Sequence, residues 1–164
     1  MLRMLLAFGL LLGSHAVVAS PVTTVLPNAE LRGTATFRYL GFSIYRARLY
    51  TPGGAPLNWQ QDFGIELKYQ RKLSENDLVT STLREMERIG APVPIKEQLS
   101  VCFDDVGKGD SYLAISDGPD RIGFWRNGQK MCTLSHPQIK ERFMAIFVGD
   151  DTQSKSFTRK LKNQ

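Results

Sequence analysis

Residues 63–90 read FGIELKYQRKLSENDLVTSTLREMERIG and contain two different hydrophobic periods. Apolar and polar side chains alternate from Phe63 to Tyr69, and a period of two is typical of a β-strand with one buried face. After Ser74, a good helix N-cap, apolar residues recur every three or four positions until Gly90, a residue type that commonly ends helices. The stretch therefore predicts a half-buried strand followed closely by an amphipathic helix.

Strand patterns lie on both sides of this stretch. The upstream ones are rich in Thr, Phe, Ile and Tyr, which favour strands, and turn residues bound all of them. The predicted strands are Arg32–Tyr39, Gly41–Tyr50, Ser111–Ser116, Arg121–Arg126 and Gln129–Leu134. Asn127-Gly128, between the last two, is the strongest signal for a two-residue hairpin.

Three more helices are predicted. Pro94 is suited to begin one, with Cys102 on its buried face. Ser135 and Gln138 form a capping box for the next, and Ser154 can cap a short last helix. The order of strands, two helices, a meander of strands and further helices predicts the α+β class, with an antiparallel sheet covered on one face by helices.

The first 19 residues have the composition of a secretory signal peptide. Arg3 supplies the positive start, Met4–Gly13 is a short apolar run, and Val17-Val18-Ala19 is a small-residue cleavage site. Cleavage there leaves a single domain, residues 20–164, of 145 residues (164 − 19). The apolar run is too short to cross a bilayer and no second one follows, so we expect an exported, periplasmic or secreted chain that does not span a membrane.

Histidine is scarce, which excludes whole classes of site. Of the two histidines, His15 leaves with the signal, so the mature domain keeps only His136. One imidazole cannot form a multi-histidine metal site, and any Ser-His-Asp or Cys-His mechanism would have to use it. His136 precedes Pro137 at a predicted helix start, where an exposed or capping role suits it. We therefore expect no metal and no cofactor.

The two cysteines are Cys102 and Cys132, without a CxxC pair or metal-ligand spacing. Thiols of exported proteins often pair in an oxidising compartment, and closing a loop of roughly 30 residues stabilises by about 3 kcal/mol in the chain-entropy model. Two separate buried thiols are the other interpretation.

The basic charge has a structural and a functional interpretation. The formal net charge is +5, and four cations, Lys155, Arg159, Lys160 and Lys162, lie near the C-terminus. They fit a solvated helix face, although basic tails can also bind nucleic acid or anionic lipid, and export argues against nucleic acid. Alternation along the second strand puts Arg46 and Arg48 on one face with Phe42, where they could hold a carboxylate or simply meet solvent.

Several motifs together resemble the bacterial chalcone isomerase-like proteins. The matching segments are Leu31-Arg32-Gly33, GFSIYRARLY at 41–50, DVGKGD at 105–110, NGQ at 127–129, FMAIFVG at 143–149, and Phe157 with Leu161. Their order and spacing carry the resemblance across about residues 31–161. It implies a single domain built as an open-faced β-sandwich, with a cleft between sheet and helices. Plant members use that cleft to cyclise chalcones or, in noncatalytic relatives, to hold fatty acids.

The resemblance also implies where isomerase residues would stand, and this chain lacks them. The catalytic Arg position falls at Ala35, unless a gap moves it to Arg32 or Arg38. The catalytic Thr position holds Tyr45. The three remaining positions, which carry Tyr, Asn and Ser or Thr in the isomerases, hold Leu78, Glu85 and Ile146. Isomerase chemistry needs donors for a developing oxyanion, and aliphatic side chains donate nothing, while an ionised Glu would oppose the charge.

Three hypotheses follow from these observations. The first is an exported, noncatalytic domain that binds a small apolar or carboxylate-bearing, fatty-acid-like ligand. Its cleft candidates are Arg38, Tyr45, Leu78, Glu85 and Ile146. The second is a chalcone isomerase-type intramolecular lyase, which the replaced positions disfavour. The third is a structural or interaction protein whose cleft is filled by its own side chains. The sequence indicates no particular oligomeric state.

The signal peptide makes a direct prediction. Protein recovered from the export fraction of its host should begin at Ser20, as measured by intact mass and N-terminal sequencing. Ala19→Lys should block processing because the cleavage site needs a small residue, whereas Ser20→Ala should be processed normally. An exported chain that still carries all 164 residues would contradict the prediction.

Overall fold

The computed structural model describes residues 21–164, so the predicted signal peptide lies outside the described residues. The chain forms these elements in order: α1 Pro21–Val25, β1 Ala29–Tyr39, β2 Phe42–Pro52, β3 Gly64–Tyr69, α2 Glu75–Arg88, α3 Lys96–Cys102, β4 Ser111–Ser116, β5 Arg121–Arg126, β6 Gln129–Ser135, α4 Ile139–Val148 and α5 Lys155–Lys162. None of the helices within residues 21–164 has the length and apolar character needed to cross a membrane.

The sheet is an antiparallel meander of six strands in which each strand pairs with its neighbour in sequence. Ala47 of β2 lies opposite Leu67 of β3, which in turn lies opposite Tyr112 of β4. Helices α2 to α5 pack on the face that carries these side chains. The predicted α+β class, an antiparallel sheet covered on one face by a layer of helices, is confirmed.

The alternation of side chains explains where the core lies. In β4, Tyr112 and Ala114 face the helix layer, whereas Leu113 and Ile115 point to the opposite side of the sheet. On the helix side, fully buried apolar residues from both layers interlock, among them Leu49, Ile65, Phe124, Met86, Leu99, Ile139 and Met144. Burial of this apolar surface is the main driving force that holds the helices on the sheet.

Part of the opposite face is also covered. Val22 and Leu26, from α1 and the turn after it, pack against Leu113, Ile115 and Trp125 in a separate apolar cluster. The chain then enters β1 at Ala29, three residues before the predicted start at Arg32. This short N-terminal cover explains why β4 is apolar on both of its faces.

Two predicted helix starts are wrong. Helix α3 begins at Lys96, after Ile95, rather than at Pro94. Ser135 and Gln138 do not form a capping box, because Ser135 is still in β6 and its N–H donates to Gln98 Oε1 at 3.0 Å. Gln138 is itself the N-cap of α4, in a left-handed conformation, and its N–H donates to Asp120 Oδ1 at 2.8 Å. The box at Ser74 and Asp77 does form, with both reciprocal bonds present.

Two of the family-like motifs join distant parts of the chain. The absent side chain of Gly33 lets β1 approach α5, since a Cβ there would collide with the carbonyl oxygens of Lys160 and Leu161. Next to it, Arg32 donates from Nε to the Lys162 carbonyl at 3.0 Å, which satisfies a free carbonyl at the C-terminal end of α5. This motif therefore locks the last helix to the first strand.

The second motif pair connects the loop before β4 with the β5–β6 hairpin. Asp110 accepts a hydrogen bond from the Gly107 N–H at 2.7 Å and another from Asn127 Nδ2 at 2.9 Å. Asn127 Oδ1 accepts in turn from the Ser111 N–H at 2.9 Å. These bonds favour the carboxylate form and hold the pKa of Asp110 below its usual value.

Cys102 and Cys132 form a disulfide, with their Cα atoms 5.2 Å apart. The bond joins the C-terminal end of α3 to the middle of β6, the edge strand. It therefore fastens the helix layer to one side of the sheet, while Arg32 and Gly33 fasten it to the other.

The disulfide should contribute substantially to stability. Because it closes a loop of 30 residues, the chain-entropy model gives about 3 kcal/mol of unfolding free energy that Cys102→Ser/Cys132→Ser should lose. Denaturant melts of the variant and the wild type under oxidising conditions measure the difference. A reductant should lower the wild-type midpoint towards that of the variant and leave the variant unchanged; equal melts in all conditions would contradict the prediction.

Candidate functional site

A small, partly open cavity lies between the sheet and the helix layer. Strands β3, β4 and β5 form its floor, and α2 and α4 form its roof. Its volume is about 50 Å³. The lining residues are mostly apolar or aromatic: Ile65, Leu67, Tyr69, Leu78, Thr82, Phe103, Tyr112, Ala114, Phe124, Phe143 and Phe147.

The lining contains no ionised side chain. Its polar atoms are the hydroxyls of Tyr69, Thr82 and Tyr112, and the Tyr112 hydroxyl accepts a hydrogen bond from the Asp104 N–H at 2.8 Å. Such a surface favours apolar groups and offers no general acid or base of ordinary strength.

An aromatic cluster adjoins the cavity and is centred on Tyr45. Its ring stacks on Phe37, with centroids 5.2 Å apart, and meets Tyr69, Phe147 and Phe157 edge-on at 6.1, 6.4 and 6.0 Å. Tyr69 and Phe147 belong both to this cluster and to the cavity lining. The Tyr45 ring therefore lies one side chain away from the cavity.

Burial keeps the tyrosine hydroxyls of this region neutral. The pKa of Tyr45 is raised well above its usual range, first by burial and then by the nearby Tyr69 and Glu85. The pKa of Tyr69 is raised by burial and by Tyr112. A neutral phenol can donate a hydrogen bond to a ligand, but it cannot act as a base near neutral pH.

The structure brings some of the predicted site residues together. Leu78 lines the cavity, and Glu85 is close enough to Tyr45 to raise its pKa. The Glu85 carboxylate is 2.9 Å from Arg88 on the same helix, and this ion pair offsets part of its charge. Of these residues, Leu78 lines the cavity, while Tyr45 and Glu85 lie outside its lining.

Other predicted positions lie elsewhere. Ile146 packs against the core from α4 without lining the cavity. Arg38 is exposed near the end of β1, and Ala35 is buried opposite Ala47. Arg38 therefore does not line the cavity, Arg32 contacts the end of α5, and any role of these residues in binding stays a prediction.

No residue of the cavity floor is among the predicted cleft candidates. The alternation after Phe63 predicts that Ile65, Leu67 and Tyr69 are buried, and Thr82 lies in the helix predicted after Ser74. The signal that a residue is buried was present. What the sequence lacks is a signal for which buried residues leave a gap between them.

A second, larger concavity lies on the surface near the ends of α2 and α4, with a volume of about 440 Å³. Trp59 and Arg142 contribute to it, but so do the carboxylates of Glu141, Asp150 and Asp151. Three acids against one guanidinium repel an anionic head group, so this groove suits a carboxylate-bearing ligand poorly. Within residues 21–164, no three histidine, cysteine or carboxylate side chains are grouped to hold a metal ion.

The buried tyrosines predict a stability loss at alkaline pH. Their folded pKa values lie above the unfolded value of about 10, so the unfolded chain releases protons first and stability falls as pH rises above about 10. Tyr45→Phe should flatten the dependence of the unfolding free energy between about pH 10 and 12, measured by urea melts. Tyr39→Phe, which removes the hydroxyl of an exposed tyrosine, is the matched control.

Comparisons with known proteins identify the fold. No family model and no curated protein matches the sequence. Among solved structures, a fatty-acid binding protein of Arabidopsis thaliana superposes with a TM-score of 0.63 at 12% identity, over 84% of this chain and 88% of that chain. The chain therefore has the open-faced, chalcone isomerase-like fold that its motifs led us to expect.

Proposed function

We propose that this protein is an exported, noncatalytic binding domain that takes a small apolar or fatty-acid-like ligand in the cleft between sheet and helices. The observation that carries the proposal is the apolar cavity between β3–β5 and the helices α2 and α4. The solved protein with the same fold is described as a fatty-acid binding protein. The Cys102–Cys132 disulfide supports export, since such bonds persist in oxidising compartments.

The lining favours an acyl chain over a polar ligand. Each methylene moved from water into such an environment gains about 0.8 kcal/mol. For a carboxylate, the neutral Tyr45 hydroxyl is a donor, but the neighbouring Glu85 opposes a second negative charge. We therefore expect the hydrocarbon part of the ligand to supply most of the affinity.

The cavity must widen to admit such a ligand. Its volume of about 50 Å³ is roughly a third of the 150 Å³ of a dry cavity that accepts benzene. Phe147 is the side chain best placed to open it, because it separates the cavity from the Tyr45 cluster and is 9% exposed. In this proposal, rotation of Phe147 joins the cavity to the surface.

The small volume also favours a second candidate function. Phenylalanine side chains from β5 and α4 fill most of the cleft, as expected of an interaction or structural protein that binds nothing inside. The isomerase hypothesis has less support, because Ala35, Leu78 and Glu85 provide no donor for an oxyanion.

Binding of a fluorescent long-chain fatty acid distinguishes the ligand-binding function from that of an interaction or structural protein with a filled cleft. Wild-type protein should bind it, and Phe147→Leu should lower Kd at least roughly fivefold, about 1 kcal/mol, by widening the cavity. Thr82→Leu should abolish binding by filling it, whereas Leu83→Ala, on the same helix but outside the lining, should have little effect.

Native mass spectrometry of protein from its own host provides a second measurement. A co-purifying lipid or aromatic acid would support the binding function. If the protein is empty, and neither wild type nor Phe147→Leu binds the fluorescent probe, the binding function is contradicted. The interaction or structural function would then be supported. Turnover of a chalcone, followed by absorbance and lost in Tyr45→Phe, would establish the isomerase instead.

A further inference from the structure

The hairpin between β1 and β2 exposes large apolar side chains at its end. We call residues Tyr39–Phe42 the hairpin tip. Tyr39, Leu40 and Phe42 are 54%, 80% and 59% exposed, and Leu40 is the most exposed large apolar residue of residues 21–164. A contiguous apolar group of this kind commonly marks a contact site.

The backbone conformation of the tip makes leucine an unusual residue at position 40. Leu40 and Gly41 both have positive φ, 47° and 82°, which two-residue hairpin turns require. Asn, Asp or Gly usually fill the first of these positions, because a bulkier side chain is strained there. An exposed leucine at such a position stabilises neither the turn nor the core, which indicates a role in contact with something outside the chain.

Cations surround the tip without any acid among them. Segments 38–46 and 68–72 contain Arg38, Arg46, Lys68, Arg71 and Lys72 and no Asp or Glu. The described residues provide none of these five cations with an ion-pair partner within 4.0 Å, whereas the next arginine along β2, Arg48, pairs with Glu66.

One local contact keeps positive charge next to the apolar tip. The guanidinium of Arg71 lies 4.7 Å from the centre of the Phe42 ring. Arg46 and Lys68 are directly opposite on neighbouring strands, an arrangement of like charges that destabilises a sheet unless an anion offsets it. A register shift between Phe37 and Arg38 places Phe42 opposite Tyr39. The alternation that would put Phe42 on one face with Arg46 and Arg48 is therefore interrupted.

We propose that the hairpin tip docks the protein on an anionic phospholipid surface. Leu40 and the two aromatic rings enter the boundary between head groups and acyl chains, where aromatic side chains are favoured, and the five cations contact the phosphates. The charges are complementary, and a narrow, convex tip suits a soft surface. Four residues bury far less than the roughly 800 Å² per partner of a stable protein interface.

Docking would place the internal cavity near the membrane. Phe37 and Tyr45, which lie just below the tip in β1 and β2, belong to the aromatic cluster beside the cavity. The docking proposal does not depend on ligand binding in that cavity, because it rests on the tip and its surrounding cations alone.

Flotation with lipid vesicles tests the proposal. The protein is purified from exporting cells, its N terminus is checked by mass, and it is mixed with phosphatidylcholine vesicles with or without phosphatidylglycerol. Wild-type protein should bind the anionic vesicles at low salt and release in high salt. Leu40→Asn/Phe42→Ser should weaken binding at least roughly tenfold, and Arg46→Ser/Arg71→Ser should remove much of its salt dependence.

The controls separate docking from folding. Leu40→Asn alone should fold at least as stably as wild type, because Asn tolerates positive φ, and should still lose binding. Val101→Ser and Lys96→Ser change an exposed apolar residue and a cation on α3, at the opposite edge of the sheet, and should bind like wild type.

Three results would overturn the proposal. One is no binding of wild-type protein to anionic vesicles at low salt. Another is equal binding by wild type and both tip variants. The third is a tip variant that changes the oligomeric state in analytical ultracentrifugation, which would make the tip a contact with a second copy.

Discussion

The structure depends on the burial of one chain of aromatic rings between the sheet and helix α4. Phe103 and Phe143 each meet Phe124 of β5 edge-on, with ring centroids 5.4 and 5.3 Å apart. The series of ring contacts continues from Phe143 through Phe147 to Tyr45. Each contact contributes both its buried area and the favourable edge-to-face geometry. The same rings connect β2, β5, α4 and the end of α3, so a shift of α3 or α4 would disturb the rings of the sheet.

This packing also explains why the candidate site is small and uncharged. Rings large enough to hold the layers together leave a gap of only about 50 Å³, and a buried carboxylate or guanidinium among them would carry a large desolvation cost. The fold therefore places hydroxyls, rather than ionised groups, at the edge of the gap. The side chains that line the gap accordingly present aromatic rings, aliphatic groups and hydroxyls.

The elements were largely predictable because local patterns determine them. The alternation from Phe63 to Tyr69 and the capped stripe after Ser74 are local in sequence, and both appear in the structure. The failures involved distant partners: Ser135 and Gln138 look like a capping box until Gln98 and Asp120 bind their backbones instead. The cavity was not predictable for the same reason, because its volume depends on how residues from five elements fit together. The predicted strands leave Leu40 in the turn between them, but the sequence does not show that it is exposed together with Tyr39 and Phe42.

The meander has a consequence for the order in which the chain can assemble. Because every strand pairs with the one before it, β1 to β3 and β4 to β6 join over short connections with low loop-closure costs, whereas β3 and β4 must meet across α2 and α3. Helix α5 returns even further, to β1 at Arg32 and Gly33, across about the whole domain. We therefore expect the first strand to keep an open inner face until the last residues arrive, so that the final helix closes the domain as its last event.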